Sequence, residues 1–313
     1  MPAQASSPRA RIQLSSSQRP LTFEVEAINE RGESVSTAIA GEAPLTLYLD
    51  KREIVTLMTL GQAPEALALG YLRNQRLLPS MDNIASVQVD WETNAVAITT
   101  NASAPESEDH ETQTLNAQHL DQRLSRRTVT TGCGQGTVFG DLMQDIDNIR
   151  LRDDVRLSDV GLHALLQEVR QHESVYKSAG AVHGCALFAL PSLHAATHAS
   201  THASTHAPLY FVEDVGRHNA VDAIAGMMWL DGIDGSDKLF YTTGRLTSEM
   251  VIKTAQMGIP FLVSRSGLTR MGWEIAQRIG ISMIGRASGG KHYLLFTGRE
   301  RFIQTMQAPT QLA

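Results

Sequence analysis

The sequence predicts an α/β protein in which a smaller, mainly β N-terminal domain precedes a larger domain built on a parallel sheet with helices on its faces. Three observations predict it. Residues 21–100 carry short period-two runs, such as Leu45, Leu47 and Leu49 alternating with polar partners. Residues 209–296 repeat strand, loop and helix, with short apolar strands and amphipathic helices. At 313 residues the chain is long enough for two cores.

Taken in order, residues 1–19 are rich in Ser, Arg and Gln, lack the apolar core of a signal peptide, and read as a disordered tail. Residues 20–125 make the mainly β domain and a linker. Leu45 to Leu49 forms one strand, Asp50-Lys51-Arg52 a turn, and Ile54 to Met58 the returning strand. Pro64 stands where a helix begins, and Leu67, Ala68, Tyr71 and Leu72 give it an apolar stripe through about Gln75. Ile84 to Val89 and Ala95 to Thr99 add two strands, and the polar, acidic run 101–125 is the linker.

Residues 126–313 make the α/β domain. Ser158 caps a helix to His172 whose buried face is Leu162, Leu165, Leu166 and Val169, and a strand from Ala186 to Leu190 follows. His194, His198, His202 and His206 recur every four residues, a spacing that could line a helix and hold a metal. Near-perfect repetition is also what tandem duplication leaves in an unconstrained loop, and the expectation is a low-complexity hairpin tip over 194–207. Leu209 to Val212, Leu239 to Thr242, Phe261 to Ser264 and Ile281 to Ile284 are the next strands. The helices between them run from about Ala220 to Met228, from Ser248 to Met257, and from Thr269 to Ile279, where Gly280 closes the last. A final strand, His292 to Phe296, follows the Ser288-Gly289-Gly290 turn.

In such sheets ligands bind beyond the carboxyl ends of the strands. Those loops carry Glu213, Asp214, Arg217, His218, Arg245, Arg265, Arg286 and Lys291, and five cations on one rim read as a site for a phosphate-bearing ligand. His218 either contacts that ligand or caps the next helix. The thiol chemistry lies elsewhere in the sequence. Thr130 to Thr137 sets Cys133 among Gly132, Gly134 and Gly136 with no large apolar neighbour, so its sulfur is displayed on a loop. Arg126 and Arg127 stand just upstream, and lowering a thiol pKa from ~8.5 to ~6.5 raises the thiolate fraction at neutral pH from about 3% to about 75%. The competing reading of a free Cys as a small buried hydrophobe lacks aliphatic surface here.

A net charge of −6 argues against a nucleic-acid or membrane-surface protein. Two cysteines cannot make a disulfide framework, and no apolar run approaches the ~20 residues that span a bilayer. The expectation is a soluble, cytoplasmic protein.

These residues resemble the formate dehydrogenase accessory sulfurtransferase family. The resemblance rests on Arg127-Thr128 through Cys133-Gly134, on Val182-His183, on Glu213 through Asp222, on Arg245 with Ser248-Glu249-Met250-Val251, on Gly258-Ile259-Pro260, and on the turn from Gly285 to Lys291. It runs from about residue 35 to 305. It implies a sulfur carrier that accepts a persulfide from a cysteine desulfurase and passes the sulfur to a guanine-dinucleotide molybdenum cofactor needed by formate dehydrogenase. It further implies a three-layer, cytidine-deaminase-like larger domain and a homodimer. The persulfide position matches Cys133, and the cofactor-binding turn matches Arg286, Ala287, Ser288, Gly289, Gly290 and Lys291, beside the rim residues Arg217, His218 and Arg245. Family members commonly carry a second cysteine three residues after the first, where this chain has Gly136. A lone Cys133 suits sulfur carriage but not a dithiol mechanism. Cys185, entering a buried strand, reads as core.

Two rival readings remain. A zinc nucleobase deaminase needs H-x-E followed by P-C-x-x-C, whereas His183-Gly184-Cys185 has no Glu and no C-x-x-C follows, so no metal of its own is expected. A non-catalytic chaperone for the guanylylated cofactor would keep the cationic rim and dispense with Cys133.

Overall fold

The computed structural model describes residues 12–101, 146–172, 174–190, 207–288 and 292–304, and the backbone of 128–129 and 136–137. It is a mixed α/β structure with several sheets. The N-terminal sheet has strand order β1-β6-β7-β4-β5, formed by β1 (Gln13–Leu14), β4 (Ala43–Leu49), β5 (Arg52–Thr59), β6 (Ile84–Asp90) and β7 (Ala95–Thr100). Period-two burial drives it, because Leu45, Leu47 and Leu49 turn to the core while Pro44, Thr46 and Tyr48 do not. β2 (Thr22–Ile28) and β3 (Ser34–Ala40) form a separate antiparallel ribbon, as do β8 (Thr128–Val129) and β9 (Gly136–Thr137), while β10 (Leu157–Ser158) pairs in parallel with β17 (Phe302–Ile303). The tail is shorter than expected: β1 pairs in parallel with β6, and the Ser15 hydroxyl, donating to Glu65 Oε1 at 2.6 Å, anchors the segment after it.

Helix α1 (Pro64–Asn74) starts at its proline, where a missing N–H costs nothing. It lies against α4 (Arg217–Leu230) in backbone contact. A Cβ on Gly70 would fall 1.7 Å from the Asp222 carbonyl oxygen, and one on Gly226 would fall 1.9 Å from that of Ala66. Both positions therefore exclude any side chain.

The C-terminal sheet has order β12-β11-β13-β14-β15-β16: β11 (His183–Ala189), β12 (Tyr210–Asp214), β13 (Lys238–Thr242), β14 (Phe261–Ser264), β15 (Ser282–Gly285) and β16 (Leu294–Thr297). The expectation of a parallel sheet is corrected to a mixed one. β13, β14 and β15 are parallel, but β11 runs antiparallel to both of its neighbours and β16 antiparallel to β15. The rhythm of strand and helix after residue 209 could not reveal that β11, which precedes it, inserts between β12 and β13. β12 to β15 nevertheless share one direction, so their carboxyl ends meet at a single edge together with the start of β11.

Both faces of this sheet are buried. Cys185, Leu187, Phe240, Leu262 and Met283 pack with α4, α5 (Ser248–Gln256) and α6 (Arg270–Ile279). Their alternates, Phe188, Tyr241, Phe261, Val263 and Ile284, pack with Leu162, Leu165, Leu166 and Val169 of α2 (Asp159–His172). Each such side chain contributes about 1.5–3 kcal/mol of hydrophobic stabilisation. The helix ends follow the expected chemistry: Ser158 Oγ accepts from Gly161 N at 3.0 Å, and Gly280 closes α6 at φ 77°. Among the described residues no helix is long and apolar enough to cross a membrane.

Candidate functional site

The carboxyl edge of the C-terminal sheet is held by hydroxyls at the strand ends. Thr242 Oγ1 accepts from Gly244 N at 3.0 Å, Thr243 Oγ1 accepts from Gly184 N at 3.0 Å, and Ser264 Oγ donates to the Gly244 carbonyl at 2.6 Å. Arg265 N donates to the Thr242 carbonyl at 3.2 Å, while Arg286 N and Ala287 N donate to the carbonyls of Ser266 and Ser264 at 2.8 and 2.9 Å. The loops after β13, β14 and β15 are thus laced together. Each carries an arginine: Arg245, Arg265 and Arg286.

Arg217 joins them from the first position of α4. Its approach is fixed by Asp214, whose Oδ1 accepts from Gly216 N at 3.0 Å and from Asn219 Nδ2 at 2.8 Å, and whose Oδ2 accepts from Leu60 N at 3.2 Å and from the Thr59 hydroxyl. Burial pushes the Asp214 carboxyl up, and these four donors oppose that rise. Gly244 lets Arg217 pass, since a Cβ there would stand 2.8 Å from Arg217 Cδ. At the centre is half-buried His183, with Nδ1 3.5 Å from Thr243 Oγ1. Burial and the charges of Arg217, Arg245 and Arg265 hold its imidazole below the ordinary pKa, so the ring is neutral at pH 7.

Arg265 also lies over the Tyr176 ring, 4.8 Å from its centroid. Tyr176 sits on the short helix α3 (Val175–Ala179), whose first N–H groups are capped by Glu213: Oε2 accepts from Ser174 N and Val175 N at 3.1 and 2.9 Å, and Oε1 from Tyr176 N at 2.9 Å. The sequence offers no local sign of α3 at the rim, because its capping carboxylate lies some forty positions away. His183 entered the sequence reading through the resemblance and the rejected zinc motif, and Tyr176 carried no signal at all.

His218 is not brought to the rim. It turns inward at 1% exposure, with Nε2 3.3 Å from Glu249 Oε2. Burial first, then the charges of Lys253 and Arg217, push it down to about 2, so this contact joins a neutral imidazole to a carboxylate. The ligand-contact alternative for His218 gives way to a structural role beside Lys253, Asp222 and Glu249.

The C-terminal turn is described as far as Ser288, with Gly289, Gly290 and Lys291 outside the described residues. The Arg286 side chain is exposed and its backbone is left-handed at φ 53°. Ala287 is buried, and the N–H groups of Arg286, Ala287 and Ser288 are all spent on internal carbonyls. Those three amides are not available to an anion, which leaves the Arg286 guanidinium and the exposed Ser288 side chain as the contribution of the described part of the turn.

Cys133 also lies outside the described residues, as does the His194 to His206 repeat. The backbones of Thr128–Val129 and Gly136–Thr137 pair antiparallel on either side of the cysteine segment, with Thr128 opposite Thr137. Cys185 is fully buried with Sγ 3.3 Å from Thr242 Oγ1, and burial pushes its thiol up to about 12. A thiol in that state is neither nucleophile nor ligand. Among the described residues no cluster of three or more His, Cys, Asp or Glu could hold a metal ion.

The comparisons agree with one another. A family model described as the FdhD/NarQ family matches residues 40–303. The protein named sulfur carrier protein FdhD in Listeria innocua is 25% identical over 288 residues, covering 91% of this chain and 98% of the relative. The proteins of the same name in Bacillus subtilis and Sulfurisphaera tokodaii are 26% and 28% identical over 276 and 269 residues, covering 94% and 91% of those relatives. The crystal structure of a proposed formate dehydrogenase accessory protein from Desulfotalea psychrophila has the same fold, with a TM-score of 0.65 at 22% identity over 91% of this chain and all of that one. A match that takes in β4 through β17 (Phe302–Ile303), with every arginine of the rim inside it, shows that the chain belongs to the FdhD/NarQ family.

Proposed function

We propose that this protein is a sulfur carrier for formate dehydrogenase maturation, with Cys133 as its acceptor thiol. The observation that carries the reading is the family match together with relatives that bear the sulfur carrier name over nearly their whole length. In the loading step the Cys133 thiolate attacks the outer sulfur of a desulfurase persulfide. The S–S bond of that persulfide breaks, its inner cysteine leaves as a thiolate, and Cys133 becomes Cys–S–SH with no net redox change. The guanine-dinucleotide molybdenum cofactor is the substrate of the onward step. Delivery of the sulfur as sulfide consumes two electrons from a thiol reductant and returns Cys133 to its thiolate.

The rim of Arg217, Arg245, Arg265 and Arg286 supports an anionic substrate, because guanidinium pairs with phosphate in charge-assisted, bidentate hydrogen bonds. The turn through Ser288, Gly289, Gly290 and Lys291 completes that site in this reading. A cytidine-deaminase-like layering of the larger domain, a homodimeric assembly and a cytoplasmic location belong to the same proposal.

Intact-mass measurement after incubation with a cysteine desulfurase and cysteine tests it. The expected result is a gain of one sulfur on Cys133 that is lost in Cys133→Ala and kept in Cys185→Ala. Sulfur retained by Cys133→Ala, or mapped to Cys185, would overturn it.

A further inference from the structure

Four side chains from four separate segments meet at the rim: His183 opens β11, Arg217 opens α4, Arg245 follows β13 and Arg265 follows β14. We propose that they form a proton-coupled site for one phosphate-class dianion, in which His183 takes up a proton as the anion enters. The sulfur-carrier reading supplies only the source of that anion, the diphosphate bridge of the guanine-dinucleotide substrate, whose two phosphates carry one negative charge each. The coupling rests on the geometry.

Arg217 is 4% exposed, its Nε has no hydrogen-bond partner among the described residues, and no described carboxylate lies within 4.0 Å of Arg217 or Arg245. A guanidinium taken out of water without an acid is costly, and an external anion supplies the missing partner. The carboxylates of the adjoining strand are committed elsewhere, Glu213 to the start of α3 and Asp214 to Thr59, Leu60, Gly216 and Asn219. Among the described residues, the groups that act on His183 are therefore positive or neutral. Arg217 and, behind it, neutral His218 come from α4, Arg245 and Arg265 from the loops, and the Thr243 hydroxyl from the end of β13. Tyr176 is joined to the site through its contact with Arg265.

In the free site, burial and three guanidiniums keep the His183 ring unprotonated. A dianion among those arginines cancels much of their repulsion and presents negative charge to the imidazole, so the bound state favours the imidazolium. The sign follows from linkage. The complex binds one more proton than the free protein, and affinity strengthens as pH falls through the range where only the bound ring is charged. A sulfate ion or a diphosphate bridge suits the set because either offers four charged oxygens to three guanidiniums and an imidazolium.

Calorimetric titration with sulfate tests this, since sulfate stays dianionic at every pH used and any proton taken up belongs to the protein. Titrations at about pH 6.5 in two buffers of different ionisation heat should show uptake approaching one proton, and sulfate should bind roughly tenfold tighter at about pH 6 than at about pH 7.5. His183→Gln should abolish both the uptake and the pH dependence. Arg265→Ala should weaken binding and reduce uptake, because a ring relieved of one cation is already partly protonated. Guanosine 5′-diphosphate binding at least tenfold tighter than sulfate at about pH 7.5, where its terminal phosphate is ionised, supports a nucleotide-borne phosphate as the source. Equal affinities support the site with a free oxyanion as its ligand. Absence of binding by both probes, binding without proton uptake, or wild-type uptake in His183→Gln would overturn the proposal. If His183→Gln fails to fold, wild-type uptake together with its reduction in Arg265→Ala decides. Persulfide loading of Cys133 in the same preparations separates the two ideas. Loading with no proton uptake removes only this inference, and uptake without loading removes only the sulfur-carrier reading.

Discussion

Lys253 Nζ lies 2.9 Å from Asp222 Oδ2, and neither side chain has any solvent exposure. Glu249 Oε1 stands 3.4 Å from the same ammonium, and Asn74 Nδ2 donates to Asp222 Oδ1 at 2.6 Å, so one cation ties α5 to α4 and, through Asn74, to α1. Lys253→Met strands two buried carboxylates and should cost about 3–5 kcal/mol. Replacing Asp222 by Leu in the same chain should recover part of that loss. Urea denaturation of both variants checks it, and a double variant less stable than Lys253→Met would contradict it.

His218 gives a pH signature. Its folded-state value near 2 lies far below the ~6.5 of an unfolded histidine, so between those values the unfolded chain binds the extra proton. Its contribution to stability is complete above about pH 6.5 and declines as pH falls, by up to ~1.4 kcal/mol per pH unit. Wild type should therefore lose about 2.5 kcal/mol more than His218→Gln between about pH 6 and pH 4. Denaturation midpoints at the two pH values measure the difference, and parallel acid slopes would count against a neutral, buried ring.

Helix contact gives a third expectation. Gly226→Ala places a methyl group where the Ala66 carbonyl oxygen now stands, and α1 must move away from α4. The cost should reach roughly 3 kcal/mol, at the upper end of overpacking effects. Gly258→Ala serves as the contrast, because nothing stands within 4 Å of a Cβ there and only its φ of 80° is strained. Thermal melts should rank Gly226→Ala well below Gly258→Ala.

The histidine repeat connects two strands that are already paired, Ala186 with Phe211 and Leu187 with Tyr210. Removing Ala196 to Thr205 shortens a hairpin connection and should leave the melting temperature and sulfur loading nearly unchanged, since loop closure changes slowly with length. A fall of more than about 5 °C, or loss of stoichiometric metal, would assign the repeat a structural role.

Legibility followed the range of the interactions. Leu45, Leu47 and Leu49, Pro64 at the head of α1, and Gly280 at the foot of α6 announced their elements because the forces that shape them act within a few residues. The cationic rim was legible as arginines recurring after successive strands. The position of β11 was not, since antiparallel insertion between β12 and β13 is decided by pairing across the sheet. Tyr176 escaped for a similar reason, its helix being capped by Glu213 from another strand. His218 reads from the sequence as a ligand contact or as a cap of the next helix, because a histidine after an arginine at a helix start suits both, and the structure instead turns it inward. Only the distant Glu249 and Lys253 show which way it turns.

The Asp214 carboxylate gathers Thr59 and Leu60 from one part of the chain and Gly216 and Asn219 from another, more than 150 positions later. During synthesis the first pair leaves the ribosome long before the second exists. Until residue 219 has emerged, the strand end at Thr59 has no acceptor waiting and Arg217 has no fixed direction, so the arginine rim is among the last parts to acquire shape. A nascent chain stalled before that point should present the N-terminal sheet to limited proteolysis as a protected fragment, yet show none of the anion binding of the finished protein.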